Sequence, residues 1–443
     1  MFGLLCRNAH SSIRKISPDR ATQKASYRFL NNKKVSEESL IEKMCSRHTS
    51  VCGNRHVLCI EDTTEMNFYS HKHRLQENSG LGRLDSLQAA LGFKMHSTLM
   101  LDAEYGNILG FSDVQLWHRP LDMPTRIERK YKSLPIEEKE SYKWIKAVNT
   151  SKERLQTASS ITFIEDREGD FYEQLSIISD DKTHYIIRSK SNRNTSDNGK
   201  IWNTLAKQAS AGSYALTLQT DHRKNRIKQQ VILQVRYSTV TITKSHAIKN
   251  GSKYPATFTL NIVEAYDPNN KDGISWKLLT THAVTNFEDA CQIVHWYSQR
   301  WTIEQMHRLL KHKGFQIEES ELESGWALRK LCVLMLSALI RIMQMNIAYN
   351  EPEGGQDIYE VYDDNEIKCL ANICQNIQGK TVKQQNHNDP KQLKWATWII
   401  ARLGGWKAYQ SQGPPGIIVL KRGLDKFYDI YYGWQLAKDV GTR

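Results

Sequence analysis

Between Trp296 and Lys311 the chain reads WYSQRWTIEQMHRLLK, a stretch dense in side chains that handle phosphate and metal. At 100° per residue, Tyr297, Arg300, Glu304 and Lys311 fall within about a 60° sector, so one continuous helix would carry them as a single polar stripe. His307 borders that sector, whereas Ile303 and Leu310 lie well round from it and are expected to face a core. Acid is delivered at two other places. The strand-like run His56–Ile60 ends in Glu61 and Asp62, and Ile161–Ile164 ends in Glu165 and Asp166. Carboxylates with basic and phenolic neighbours suit phosphodiester chemistry: two divalent cations about 3.5–4 Å apart activate the attacking oxygen and stabilise the leaving one. Each element alone also has a plainer role, as turn residues after a strand or as a solvated helix face. Their co-occurrence in this order is what points to the chemistry.

The elements that must position these groups follow from periodicity and composition. From Ser97 to Trp117, Tyr105-Gly106-Asn107 separates two β-rich runs as a hairpin turn does. Glu137 to Leu155 is helix-permissive and leads into the second acid-bearing strand. From His184 to about Thr285, β-branched and aromatic runs predict a β-rich unit. Within it, His222 to Lys228 reads equally as a basic hairpin tip and as a soluble loop. Helical patterning covers Asn286–His312 and Trp326–Ala348, Asn350–Asp389 reads as loop, and Gln392–Arg443 is helical around the breaker Gly413-Pro414-Pro415-Gly416. Trp395, Trp398, Ile399 and Leu403 share an apolar face that suits either a dimer or internal packing.

The chain has 443 residues, of which 40% are hydrophobic and 25% charged, values that exclude a wholly disordered or fibrous protein. Its net charge of +13 and pI near 9.2 favour a polyanionic partner. Eight cysteines without a CxxC pair suggest neither a disulfide scaffold nor a zinc site. The run Leu331–Ile340 is about half the ~20 residues a membrane span needs, so no transmembrane helix is expected. The opening residues lack the order of a secretory signal. A cytoplasmic, nucleoid-associated location is therefore expected, with nucleic acid as the partner.

These residues resemble DDE transposases of the insertion-sequence-four family, especially the Tn-five type. The resemblance is carried by Ile60-Glu61-Asp62-Thr63-Thr64, by Asp166-Arg167-Glu168 with Asp170, and by Tyr297, Arg300, Glu304 and Lys311 in the Y-(2)-R-(3)-E-(6)-K spacing. Tyr27-Arg28-Phe29, Lys139-Glu140-Ser141 with Lys143-Trp144, Ile187-Arg188-Ser189-Lys190 and Ala401 to Gly405 extend it across most of the chain.

The resemblance implies an α/β fold: a ribonuclease-H-like catalytic core interrupted by a β-rich insertion, with a helical C-terminal domain. Five spans follow: an arm (1–34), the first part of the core (35–186), the insertion (187–285), the second part of the core with the signature helix (286–348), and a helical dimerisation region (349–443). It implies Asp62, Asp166 and Glu304 as catalytic metal ligands for two Mg²⁺ ions, with Mn²⁺ as a substitute. Tyr297, Arg300 and Lys311 inherit phosphate contacts, Arg188 and Lys190 backbone contacts, and Trp276, read as part of an edge strand, a stacking platform for a displaced base. The implied activity is cut-and-paste transposition through a DNA hairpin, with double-stranded transposon ends and target DNA as partners, in a homodimeric synaptic complex and without a membrane. Only Met1 to Ser26 precede the Tyr-Arg-Phe motif, shorter than in relatives, so an incomplete end-binding region is expected. A truncated regulator that dimerises with full-length transposase is the alternative, and a plain nuclease a third.

Overall fold

The computed structural model describes residues 1–441 except 8–9, 74–78, 85–90, 124–127, 219–228, 246–247, 249–252, 271–272, 351–354 and 410–411. The basic run His222–Lys228 lies outside the described residues. The strands are β1 (His56–Asn67), β2 (Gly82–Arg83), β3 (Leu91–Asp102), β4 (Ile108–Trp117), β5 (Ser160–Glu165), β6 (Thr183–Arg188), β7 (Gly212–Leu218), β8 (Gln229–Thr243), β9 (Thr257–Tyr266) and β10 (Ser275–Thr280). The helices before the C-terminal third are α1 (Phe2–Arg7), α2 (Ile13–Ile16), α3 (Arg20–Asn31), α4 (Glu37–Thr49), α5 (Tyr142–Arg154), α6 (Tyr172–Leu175), α7 (Ile201–Ala206) and α8 (Phe287–Ser298). Then come α9 (Trp301–Arg308), α10 (Gly325–Asn350), α11 (Asp364–Ile377), α12 (Leu393–Leu403) and α13 (Ile417–Gly441). The chain divides into two compact units: a first of residues 1–51, 63–123 and 303–443, and a second of residues 52–62 and 124–302.

In the second unit the β-rich residues form a sheet in the order β1-β5-β6-β10-β9-β8-β7. The pairs β1/β5 and β5/β6 are parallel, and the others antiparallel. The β-rich insertion thus continues the sheet that β6 begins, and β10 is an interior strand with β6 and β9 on its two sides. That corrects the placement of Trp276 on an edge. Parallel strands buried on both faces read as continuous apolar runs, and Val57–Ile60 and Ile161–Ile164 do so. At the amino-terminal end of these strands the Thr162 hydroxyl lies 2.8 Å from both His56 Nε2 and His282 Nε2, with the His184 ring stacked on His282 at 4.2 Å. The hydroxyl can donate to one ring nitrogen and accept the N–H of the other, and the ring that accepts its proton is neutral.

In the first unit α10 is the core helix, touching α1, α3, α4, α12, α13 and β4. Its 26 residues are long and apolar enough to cross a membrane, against the shorter run read from sequence, but 83% of its most apolar window is buried within the protein. Its cations are matched as a protein interior demands. Arg329 forks onto Glu37 at 2.6 and 2.8 Å, and Arg341 donates to Glu366 at 2.8 Å. Lys330 donates to the carbonyls of Leu30 and Asn32. Three segments of this unit take forms that the sequence left open or read otherwise. Residues 1–34 include helices α1, α2 and α3 and contribute buried Leu5, Ile13, Ile16 and Leu30. Within Asn350–Asp389, read as loop, α11 forms behind a capping box of Asp363 and Glu366. Trp395, Trp398 and Ile399 of α12 are buried inside the chain, where α12 packs on α10, α11 and α13, so internal packing uses the face that a dimer would need. The seven described cysteines 45, 52, 59, 291, 332, 369 and 374 carry free thiols.

Each unit holds a histidine that burial keeps neutral. Burial lowers His282 to about 3, with the neighbouring His184 and His56 adding to the effect. Burial lowers His48, whose Nδ1 accepts the Phe111 N–H at 3.1 Å, to about 4. Below the ordinary value of 6.5 the unfolded chain takes up protons that the folded chain refuses, so this stability is present above pH 6.5 and lost as pH falls toward 4. Thermal melting followed from pH 7 to pH 5 should show a loss of about 2 kcal/mol per buried histidine. His48→Gln should flatten that dependence.

Candidate active site

The parallel register places the acid groups. Ile60 pairs with Ile164, and Ile164 with Ile186. Asp62 and Asp166 each lie two residues beyond the last β1/β5 pair, and Arg188 closes β6, so all three follow the carboxyl-terminal end of the parallel pairing, the end at which open α/β sheets bind ligands. Alternation along a strand turns the preceding residues to the opposite face. Glu61 and Glu165 are accordingly fully buried, while Asp62 and Asp166 are partly exposed. Burial pushes Glu165 up to about 8, and the charge on Asp166 adds to this, so the carboxyl holds its proton. Gln174 donates to Glu165 Oε2. Gly169 packs so close that a Cβ would stand 1.8 Å from Glu165 Oε2, so a side chain here would displace the Glu165 carboxyl. Asp166 Oδ1 accepts the Glu168 N–H at 2.8 Å, fixing its carboxylate at the start of a 3₁₀ turn.

Asp170, grouped with Asp166 by the sequence motif, has a different place. Its buried carboxylate accepts the backbone N–H groups of Lys190 (2.6 Å) and Ser191 (3.0 Å) and the Arg193 guanidinium (2.6 and 3.1 Å). It clamps the segment after β6, and with it Lys190, to the segment after β5. Sequence reasoning missed Arg193. A basic residue three positions beyond Lys190 was the available signal, though spacing alone does not reveal the pairing.

The single stripe predicted for Tyr297 to Lys311 is corrected. Helix α8 ends at Ser298, Gln299 and Arg300 form a turn, α9 begins at Trp301, and Leu309–Lys313 widen into a π-turn. No one helical wheel therefore applies. Tyr297 is only 3% exposed and meets the Trp276 ring edge-on at 5.1 Å. Burial raises its pKa, which Arg300 and the hydrogen-bonded Arg188 oppose. Arg300 stands 3.8 Å from Asp62. The division between the units falls inside α9, between Thr302 and Ile303, so Glu304 and Lys311, both partly exposed, belong to the first unit. Ile303 and Leu310 are fully buried, in line with the sequence reading. The structure thus brings Asp62, Asp166, Arg188, Lys190, Trp276, Tyr297 and Arg300 into the second unit. Among the described residues, no group of three or more His, Cys, Asp or Glu side chains is placed to hold a metal ion.

Residues 112–341, just over half of the chain, match the transposase DDE domain family. The chain belongs to this family. Asp166 and Glu304 lie within the matched span, and Asp62 before it. DDE transposases depend on divalent metal, generally Mg²⁺. Among solved structures, the chain is similar to the cryo-EM structure of the piggyBac transposase synaptic complex with hairpin DNA, with a TM-score of 0.38 and 11% identity. The similarity covers 80% of this chain and 66% of that one, so the chain spans just under two thirds of the piggyBac chain's length.

Because Asp170 satisfies two backbone donors and a buried guanidinium at once, Asp170→Ala should destabilise the protein by about 3–5 kcal/mol, the range for breaking a buried ion pair. A melting temperature unchanged from the parent would show that the clamp contributes nothing.

Proposed function

We propose that the chain is a metal-dependent DNA transposase of the insertion-sequence-four, Tn-five type, built on a ribonuclease-H-like core, which cuts and rejoins DNA through a hairpin intermediate. The observation that carries this reading is that Asp62 and Asp166 both follow the carboxyl-terminal end of the β1/β5 parallel pairing, with the Arg300 guanidinium 3.8 Å from Asp62. Asp62 and Asp166 offer the hard oxygen donors a divalent cation takes, and Glu304 is proposed as the third carboxylate. By donor chemistry these residues fit Mg²⁺, with Mn²⁺ a substitute. Bound there, the ions would activate the attacking oxygen and stabilise the leaving one.

The chain's own residues have distinct parts in this reaction. In the first step a water attacks a phosphodiester at the transposon end and frees a 3′-OH. That hydroxyl then attacks the opposite strand, closing a hairpin, and a second water reopens it before the end joins target DNA. Arg188, Lys190, Arg300 and Lys311 neutralise backbone phosphates, the arginines as forks and the lysines as point charges. Trp276 supplies the platform for the base displaced by the sharp bend, and buried Tyr297 braces that indole edge-on. A homodimer holding two ends together is part of the same reading, as is a nucleoid location. The helical face on α12 is not its interface.

Asp166→Asn, Asp62→Asn and Glu304→Gln should each abolish Mg²⁺-dependent nicking of a duplex carrying the element's end, assayed on a denaturing gel. Nicking that persists in all three variants would sink the assignment. Trp276→Ala should slow hairpin closure about tenfold to a hundredfold while leaving the first nick closer to the parent, given about 1–3 kcal/mol for one base–aromatic stack. Equal loss in both steps would remove the platform role.

A further inference from the structure

On the second unit, next to the carboxyl ends of β5 and β6, a cleft of about 280 Å³ opens between the segment after β6, helix α7 and strand β10. Its walls carry Arg167, Arg188, Lys190 and Lys277, and no carboxylate is among its lining residues. Four like charges around one cavity repel each other, and an anion seated among them would offset that cost. Two of the four are held in place. Arg188 donates to the Ser275 carbonyl at 3.2 Å, and the Asp170 clamp fixes the backbone of Lys190. Lys277 is held differently. Its ammonium lies 2.7 Å from Glu264, but Glu264 is also engaged by Arg236 at 2.6 Å, so one buried carboxylate answers two cations and a positive charge is left over. The same ammonium stands 5.5 Å from the centroid of the Trp202 ring. Trp202 is itself pinned by its indole N–H, which donates to Ser189 Oγ at 3.0 Å, so the cleft has a rigid aromatic wall.

We propose that this cleft is a phosphate socket for a DNA strand, in which Lys277 and the Trp202 wall join Arg167, Arg188 and Lys190 around one backbone phosphate and its sugar. The identity of the ligand as DNA rests on the transposase reading. The anionic socket itself rests on the cleft alone. When phosphate arrives, Lys277 turns its ammonium to the phosphate oxygens while Arg236 keeps Glu264 neutralised, so no buried carboxylate is left unpaired. Neither Lys277 nor Trp202 stands out in the sequence. They are brought together by the interior position of β10 and by the Trp202 to Ser189 hydrogen bond.

The test uses the full chain, a fluorescein-labelled DNA duplex, EDTA-containing buffer to prevent cleavage, and anisotropy titrations across a salt series. Lys277→Ala and Lys190→Ala should each weaken binding about tenfold to a hundredfold, as expected for losing one hydrogen bond to a charged group. Each should also lower the slope of log affinity against log salt by about 0.9, the value for one lost phosphate contact. Lys277→Arg should restore both, since a guanidinium can keep Glu264 and still reach a phosphate. Lys190 is exposed, so its variant carries little folding risk, and a melting curve controls for the other. Affinity and slope unchanged in both alanine variants would overturn the socket, and the nuclease reading would stand if Mg²⁺-dependent nicking survived. A protein that never nicks DNA yet loses binding in both variants would keep the socket and discard the nuclease. Weakened binding in Lys277→Ala that Lys277→Arg does not restore would overturn the part given to Lys277.

Discussion

Parallel pairing of β1 with β5, and of β5 with β6, settles which face the residues that follow it take, because a one-residue slip would turn every side chain to the other face. The apolar residues of these strands are packed on both sides, so the register is locked by burial long before Asp62, Asp166 and Arg188 are reached. The polar ends contribute nothing to that lock and are placed by it. The same alternation hides Glu61 and Glu165, and the protonated Glu165 lies behind Asp166 without a second negative charge beside it.

The opposite ends of the same strands carry different groups. Imidazoles joined through one threonine hydroxyl fill the amino-terminal side, and carboxylates with guanidinium occupy the carboxyl-terminal side. Between these ends the sheet continues without interruption into the β-rich insertion. Arg188 pairs directly with Leu278 of β10, and Trp276 sits two residues before that pair. Trp276 and Arg188 are thus tied through the backbone hydrogen bonds of the sheet, and the Trp276 ring meets Tyr297 edge-on. The Asp170 clamp does the same for Lys190.

Much of this was legible in the sequence for a physical reason. Strands that end in acid pairs announce themselves by an apolar run that stops abruptly, and His56–Asp62 and Ile161–Asp166 are such runs. The turn at Tyr105-Gly106-Asn107, the strands of the insertion and the helix start after Gly416 follow from local composition in the same way. What failed needed tertiary knowledge. The helix drawn through Tyr297 to Lys311 breaks at Gln299 because the packed surroundings override a pattern that is helical by count. Trp395 and Trp398 could not be assigned to an inside or an outside face until α10 and α13 were in view. The loop read over Asn350–Asp389 hid α11 because its polar residues face outward while Glu366, counted as surface charge, turns in to Arg341 and to the Tyr428 hydroxyl at 2.6 Å.

The two buried arginines of α10 bear on the order in which the chain is assembled on the ribosome. Glu37 emerges 292 residues ahead of Arg329 and is already waiting when that part of α10 appears. Glu366 follows Arg341 by 25 residues, and α12 and α13 come later still. Until then a helix with the hydropathy of a membrane anchor has been made without the carboxylate that Arg341 meets in the fold.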